Sequence, residues 1–223
     1  MRFGLINDVK PLDKAVLDQT VKKYASLAQP SNQTILTPFP ELKANTDNAK
    51  FLLEKYKVNN QKLLVSFMPG AEYGPAKQWP VAHFAELAQK INQIGGQVLI
   101  FGSDKDRAGG NVIAESNSNV INLCGKTTIE DAVDLIGSTD IAVTNDSGLM
   151  HVAASVGIPL VSIYGSSSPL YTPPLTEKAI VEWLELDCAP CFKRECPLQH
   201  LNCLTQITAQ NVFKHIEIIY AKK

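Results

Sequence analysis

The sequence predicts an α/β fold, a Rossmann-like doubly wound parallel sheet over residues 62–165. Three observations carry this reading. Apolar runs without polar alternation recur along the segment, as in strands buried on both faces. Stretches with apolar residues three and four apart, the helical period, lie between them. Successive runs end in glycine with polar residues, and in a parallel sheet all such ends open on one crevice.

Leu63-Leu64-Val65-Ser66-Phe67-Met68 reads as the first strand, followed by the loop Pro69 to Trp79. Pro80 suits a first helical position, and Val81, Phe84, Leu87, Ala88 and Ile91 form the apolar stripe of a helix that stops at Gly95-Gly96. Gln97 to Phe101 is the second strand, closed by Gly102-Ser103-Asp104, and a helix covers Asp106 to Glu115. Val120 to Leu123 is the third strand, with the loop Cys124-Gly125-Lys126-Thr127-Thr128 and a helix from Ile129 to Ile136. Asp140 to Thr144 is the fourth strand. Its turn opens a short helix over Val152 to Val156, stopped by Gly157, and Pro159 to Tyr164 is the fifth strand. Beyond a Ser/Pro-rich loop, Ala179 to Leu184 reads as an edge strand, and Thr208 to Tyr220 as a last amphipathic helix.

Residues 1–60 have another texture. Leu12, Ala15, Val16, Val21, Tyr24 and Leu27 recur at mostly helical spacing until Gln29-Pro30-Ser31-Asn32 breaks the pattern. Ile35 to Pro40 is too proline-rich for an inner strand, and Asn45 to Lys57 reads as a second helix. With no strand–helix alternation, this segment resembles the tail of a domain plus a linker. The division is therefore 1–60 and 61–223.

Composition bounds the function. Of 223 residues 45% are hydrophobic and 19% charged, ordinary for a globular chain with a sizeable core. A net charge of −1 argues against general attraction to nucleic acid or anionic membrane. No apolar run reaches the ~18 residues of a membrane span. Charges follow the short apolar piece of Met1 to Lys10 at once, unlike a signal peptide. The expected location is cytoplasmic.

The stretch Thr144-Asn145-Asp146-Ser147-Gly148-Leu149-Met150-His151 sits at a strand end and a helix start, where backbone N–H groups suit phosphate. Asp146 or Ser147 could cap the helix, with His151 one turn later on the same face; plain caps and a half-buried histidine explain the same residues. In the loop after the first strand, Gly70 and Gly74 permit close backbone approach, and Lys77 precedes a helix start, a combination suited to a diphosphate. The loop is neither a P-loop nor the dinucleotide G-x-G-x-x-G. No G-x-S-x-G elbow supports Ser147 as a nucleophile. Cys124 reads as a core residue. The array Cys188, Cys191, Cys196 and Cys203, with His200 inside it, reads either as reduced cysteines packing a loop-rich corner or as zinc ligands, although its spacing fits no zinc ribbon. A disulfide is disfavoured in a reducing compartment.

Taken together, Pro69 to Pro80 and Thr144 to His151 closely resemble the lipopolysaccharide heptosyltransferase family. Phe101-Gly102-Ser103, Tyr164 to Pro169, Tyr171 to Pro174 and Arg2 to Asp8 fit the same pattern, so the resemblance spans essentially the whole chain. It implies a two-domain GT-B glycosyltransferase of which residues 61–223 form the C-terminal, donor-binding Rossmann-like half. The reaction implied is inverting transfer of heptose from ADP-L-glycero-β-D-manno-heptose to the inner-core heptose of lipopolysaccharide. No nicotinamide cofactor and no catalytic metal are implied. The partners implied are the ADP-heptose donor and a membrane-surface acceptor, which also implies a peripheral place at the inner membrane.

Carried over by residue, the resemblance gives Lys77 the diphosphate and the departing ADP. Asp146 takes sugar hydroxyls, Ser147 and Gly148 take phosphate, and His151 supports the turn or the sugar–phosphate. Asp106 is a candidate for the ribose hydroxyls, and Gly125, Thr127 and Thr128 for the border of the adenine. Gly70 and Gly102 complete the donor-binding set. On this resemblance, the family's N-terminal Rossmann half, which supplies the proposed carboxylate base, is expected to be missing from this chain. Residues 1–60 then read as a remnant of the acceptor domain. An inverting transfer needs a base near the acceptor hydroxyl; none is assigned here, and Asp8 matches no base motif. The expectation is a chain that binds donor weakly and transfers little or nothing alone, with residues 1–60 exposing apolar surface, moving freely or pairing with another copy. A non-catalytic nucleotide or nucleotide-sugar binding module is the alternative.

Overall fold

The computed structural model describes residues 12–30, 34–59, 61–115 and 117–221. The readings placed on Arg2 to Asp8, Ser31 and Asn32 lie outside the described residues. Six strands form one sheet: β1 (Leu64–Met68), β2 (Gln97–Ile100), β3 (Val120–Asn122), β4 (Ile141–Asn145), β5 (Leu160–Tyr164) and β6 (Ala179–Trp183). Their order is β3-β2-β1-β4-β5-β6, and every neighbouring pair is parallel. This is the doubly wound order, whose direction of winding reverses between β1 and β4. The six strands lie within a residue or two of their sequence-predicted bounds.

The continuous apolar character of the strands follows from two cores, one on each face. Val65, Phe67, Val98, Ile100 and Val143 point to one side, where helices α3 (Val81–Gln93), α4 (Arg107–Glu115) and α8 (Ala209–Tyr220) supply Phe84, Leu87, Ile113, Val212 and Ile216. Leu64, Met68, Leu99 and Ala142 point to the other. There α2 (Thr46–Lys55), α5 (Ile129–Gly137) and α6 (Gly148–Ser155) supply Leu52, Leu53, Leu135, Met150 and Ala153. The short α7 (Asn202–Thr205) carries Leu204 into the first core. Gly95 and Gly157, at φ +83° and +78°, end α3 and α6 in the left-handed conformation that favours glycine.

Before residue 62 the described residues form two helices and no strand. The first, α1 (Thr20–Ala28), is shorter than the apolar spacing from Leu12 predicts, because residues 14–16 form a turn. No residue of α1 is buried. Leu12, Val16, Tyr24 and Leu27 are exposed, as are Leu36, Phe39, Leu42 and Phe51. The periodicity is real, but among the described residues it is covered only in part, by the contact of Thr20 and Val21 with Tyr171.

Helix α2 differs. Asn45 caps it, accepting from the N–H groups of Asp47 and Asn48. The backbone N–H of Asn45 donates to Asp134 of α5 at 2.7 Å, and the Asn48 amide donates to Asp131 and Asp134. Thus α2, contributed by the first segment, packs as a layer of the sheet's second core. Leu52→Ala is expected to destabilise the fold by about 2–5 kcal/mol in urea unfolding, as for a buried leucine. Exposed Phe51→Ala is expected to stay within about 0.5 kcal/mol.

Candidate functional site

The strand ends at the β1/β4 reversal are tied together by one buried side chain. Asn145, the last residue of β4, accepts from the backbone N–H of Trp79 at 3.0 Å and donates to the Pro69 carbonyl at 2.6 Å. It thereby closes the β1–α3 loop at both ends, since Pro69 opens that loop and Trp79 ends it. Trp79 is itself anchored, with its indole N–H on the Ile207 carbonyl at 2.8 Å and its ring edge-on to Phe84. Within the loop, Pro75–Lys77 makes one 3₁₀ turn that projects Lys77 toward β4.

Lys77 meets Asp146 at 2.5 Å, and both are largely withdrawn from solvent, with side chains 17% and 5% exposed. The two residues singled out for diphosphate and sugar thus contact each other. One link joins the loop after β1 to the turn after β4. Lys77 Nζ also lies 5.2 Å from the Tyr73 ring centroid.

Ser147 occupies the N-cap position of α6, but its hydroxyl makes no capping bond and lies 3.5 Å from the Thr144 hydroxyl. With Asp146 engaged by Lys77, no side-chain capping bond to α6 is made among the described residues, contrary to the capping read from sequence. A Cβ at Gly148 would meet nothing within 4 Å. The start of α6 lines a crevice of about 370 Å³ whose residues include Gly70, Glu72, Gly102, Asp106, Ser147 and Gly148. A second cavity of about 210 Å³ continues from it, sharing Gly102, Ser103 and Leu149 and adding Thr127 and Thr128. Gly70, Gly102, Asp106, Ser147, Gly148, Thr127 and Thr128 thus line two adjoining cavities, whereas Lys77, Gly125 and Asp146 are not among their lining residues.

Several roles change in detail. Gly70 and Gly102 make room for Asp106 of the same chain. A Cβ on Gly70 would stand 2.5 Å from the Asp106 carboxylate, and one on Gly102 would stand 2.8 Å from it. Gly74 makes room for the Arg194 carbonyl, 2.6 Å from where its Cβ would be. The close approaches expected of Gly70 and Gly74 are therefore filled by the protein itself. Asp106 accepts from the Ser103 backbone N–H and hydroxyl, both at 2.8 Å. Gly125, at φ +68°, is shaped by Asp104 and Arg107. Thr128 caps α5 reciprocally with Asp131.

His151 is half-buried one turn into α6. It lines a separate cavity of about 170 Å³ with Thr20 and Val21 of α1, Tyr171 and Thr172. Burial lowers its pKa, the Asp146 charge opposes this, and the Lys77 charge adds to it. Two hydroxyls to which the sequence reading gave no site role, Ser166 and Ser167 after β5, are buried with no hydrogen-bond partner among the described residues. A serine-rich loop gave no signal of that burial.

Cys188, Cys191 and Cys196 lie in the loop between β6 and α7, and Cys203 lies in α7 itself. The charges of Cys188, Cys191 and Cys196 reach Cys203, whose pKa is raised mainly by burial. The Cys196 thiol is lowered mainly by the backbone N–H of Leu201, helped by Leu198, His200 and Gln199. Among the described residues no three of His, Cys, Asp and Glu are placed to hold a metal ion. Cys124 is fully buried and its thiol is pushed up to about 12 by burial.

Lys77→Met removes the cation that disfavours imidazolium and leaves Asp146 unopposed. The His151 pKa is expected to rise, read from its imidazole resonances in an NMR titration; a fall would contradict the placement. In the native chain the lowered value favours neutral His151. Its contribution to stability is present above the ordinary value of 6.5 and is lost as pH falls through the folded value.

The profile of glycosyltransferase family 9 (heptosyltransferase) matches residues 1–202. Lipopolysaccharide heptosyltransferase 2 of Escherichia coli K12 is 38% identical over 98% of this chain and 66% of its own length. The protein of that name from Salmonella typhimurium LT2 is 38% identical over 100% of this chain and 68% of its own length. The solved structure of E. coli ADP-heptose lps heptosyltransferase II superposes with a TM-score of 0.84 at 36% identity, covering 100% of this chain and 68% of that one. The chain thus spans about two thirds of the length of these relatives. A family 9 glycosyl transferase of Veillonella parvula, 23% identical with a TM-score of 0.75, shares the fold over 88% of this chain and 58% of its own. With α/β topology, crevice and sequence in agreement, this chain belongs to glycosyltransferase family 9, the heptosyltransferases.

Proposed function

We propose that this chain binds ADP-L-glycero-β-D-manno-heptose and serves the transfer of its heptose to the inner-core heptose of lipopolysaccharide, with inversion. The observation that carries the reading is the uncapped start of α6 at the β1/β4 reversal, open to the crevice beside the Lys77–Asp146 pair. A diphosphate at that point satisfies free N–H groups and meets the positive end of the helix. That the relatives are a lipopolysaccharide heptosyltransferase and an ADP-heptose lps heptosyltransferase supports ADP-heptose as donor and lipopolysaccharide as acceptor.

In this reading residues 61–223 form the donor-binding unit, and residues 1–60 belong with the acceptor side, with α2 packed on the donor unit. Ser147 and Gly148 hold phosphate. Thr127 and Thr128 border the adenine in the adjoining cavity, Asp106 faces the ribose, and Gly70, Gly102 and Gly125 shape the walls. His151 lies between the α6 turn and α1, on the acceptor side.

The transfer itself makes a bond from the acceptor oxygen to the anomeric carbon and breaks the bond from that carbon to the ADP oxygen. Negative charge builds on the departing diphosphate, where a fixed cation and helix N–H groups lower the barrier most. Lys77 is placed for this once a ligand competes with Asp146 for its ammonium. Asp146 then presents its carboxylate to sugar hydroxyls. The base that takes the acceptor proton is not assigned. No described helix is long and apolar enough to cross a membrane. A cytoplasmic protein that meets a membrane-surface acceptor peripherally fits the reading.

Asp146→Ala discriminates this function from a nucleotide-binding module. Loss of Asp146 releases Lys77 to phosphate and removes the sugar contact. Calorimetry is expected to give unchanged or tighter ADP binding, with ADP-heptose weakened about tenfold or more, as for loss of a charged hydrogen bond. Equal losses for both ligands would contradict the sugar contact.

A further inference from the structure

The Lys77–Asp146 pair brings one positive and one negative charge to the crevice, so it offers a bound diphosphate no net charge. Other cations near the strand ends are also engaged. Lys105 pairs with Glu72 at 2.7 Å, and Arg107 with Asp104 at 2.5 Å. A diphosphate diester carries two negative charges, and the partial charge of one helix terminus, roughly +0.5, does not match them.

Arg194, in the cysteine-bearing loop, makes none of the ion pairs among the described residues. It is fixed all the same against the loop that carries Lys77. Its carbonyl accepts from the Ala76 N–H at 3.0 Å and fills the space left by the missing Cβ of Gly74. Its guanidinium carbon stands 5.2 Å from the Tyr73 ring centroid, the same distance as Lys77 Nζ. Tyr73 is held in turn by its hydroxyl, which donates to the Phe192 carbonyl at 2.7 Å. One anchored ring therefore carries two cations, of which only Lys77 has a carboxylate partner. The charge of Arg194 also reaches Glu72, a lining residue of the crevice. The Glu72 carboxyl is lowered chiefly by its hydrogen bond from Lys105, then by the Lys105 charge, with Arg194 adding to the effect.

We propose that Arg194 is a diphosphate-binding residue of the donor site, its guanidinium taking phosphate oxygens while Tyr73 holds it beside Lys77. The proposal rests on the donor-binding reading above and adds to it the source of net positive charge. Guanidinium suits the task, because its planar fork can give two parallel N–H bonds to one phosphate and stacks on an aromatic ring without losing charge. The constraint on Gly74 follows: its hydrogen lets the Arg194 backbone approach the loop that carries Lys77. The cysteine-bearing loop becomes one wall of the donor site, a role that its own spacing did not suggest.

The test compares ADP, AMP and adenosine binding by calorimetry for the native chain, Arg194→Ala, Arg194→Lys and Gly74→Ala. Arg194→Ala is expected to weaken ADP by about tenfold to a hundredfold, the range for a hydrogen bond to a charged group. Adenosine should be unaffected, AMP should lose less than ADP, and the remaining ADP affinity should depend less on salt. Arg194→Lys should recover part of the loss. Gly74→Ala keeps the charge but displaces the Arg194 carbonyl, so it should weaken ADP without weakening adenosine. The Arg194 side chain is exposed, so its removal should leave the thermal midpoint in place, separating lost contact from lost fold. A native chain that binds ADP while Arg194→Ala binds it equally well overturns this proposal and leaves the donor site standing. Equal losses for ADP and AMP overturn the diphosphate assignment. A native chain that binds no ADP overturns both readings.

Discussion

The ion pair between Lys77 and Asp146 is the constraint on which the donor site depends. Two largely buried charges in contact are tolerable only together, because removal of either leaves the other unpaired and desolvated. The pair joins residues 69 positions apart, one from the loop after β1 and one from the turn after β4. It therefore holds the two sides of the winding reversal at a set separation. Asn145, next in the chain, makes the neutral version of the same connection by clamping Pro69 and Trp79. Charge and amide together turn a flexible twelve-residue connection into a wall.

The rest of the fold serves that wall. In the order β3-β2-β1-β4-β5-β6, α3 leaves β1 on one face and α6 leaves β4 on the other, so their first turns diverge above the sheet. The gap is the crevice. The same pair explains why α6 starts without a cap. Asp146, the nearest carboxylate, is engaged by Lys77, and Ser147 makes no bond to the helix. The helix start stays open beside the crevice at the winding reversal.

Most of the architecture was legible in the amino-acid sequence, for a physical reason. A strand buried on both faces is apolar at most positions, so β1, β2, β4 and β5 stand out as largely apolar runs, interrupted by buried Ser66, Gln97, Thr144, Asn145 and Ser162. Helices packed on one face repeat every three to four residues and stop at Gly95 and Gly157. The apolar spacing from Leu12 to Leu27 has the same form, yet in this structure it belongs to a half-exposed segment, because periodicity marks a face and not its partner. Within the site the strand-end residues were legible as a set, since topology alone places them together. Their mutual contacts were not. The space at Gly70 and Gly74 is taken by Asp106 and Arg194, and Lys77 by Asp146, and each partner is set by packing between distant segments. Arg194 was hidden by its setting among cysteines, more than a hundred residues beyond the ring that holds it. The cysteine spacing left a packed corner and a metal site both open, and the described residues place no three ligands around a common point.

The measurement that tests this account most directly is a double-mutant cycle on the unfolding free energy, using Lys77→Met, Asp146→Asn and the two combined. If the pair is the constraint described, each single change strands a buried partner and costs on the order of 3 kcal/mol, while the double change costs less than the two added, by about 2 kcal/mol or more. Costs that add to within about 0.5 kcal/mol would show two residues that do not depend on each other, and would contradict the account.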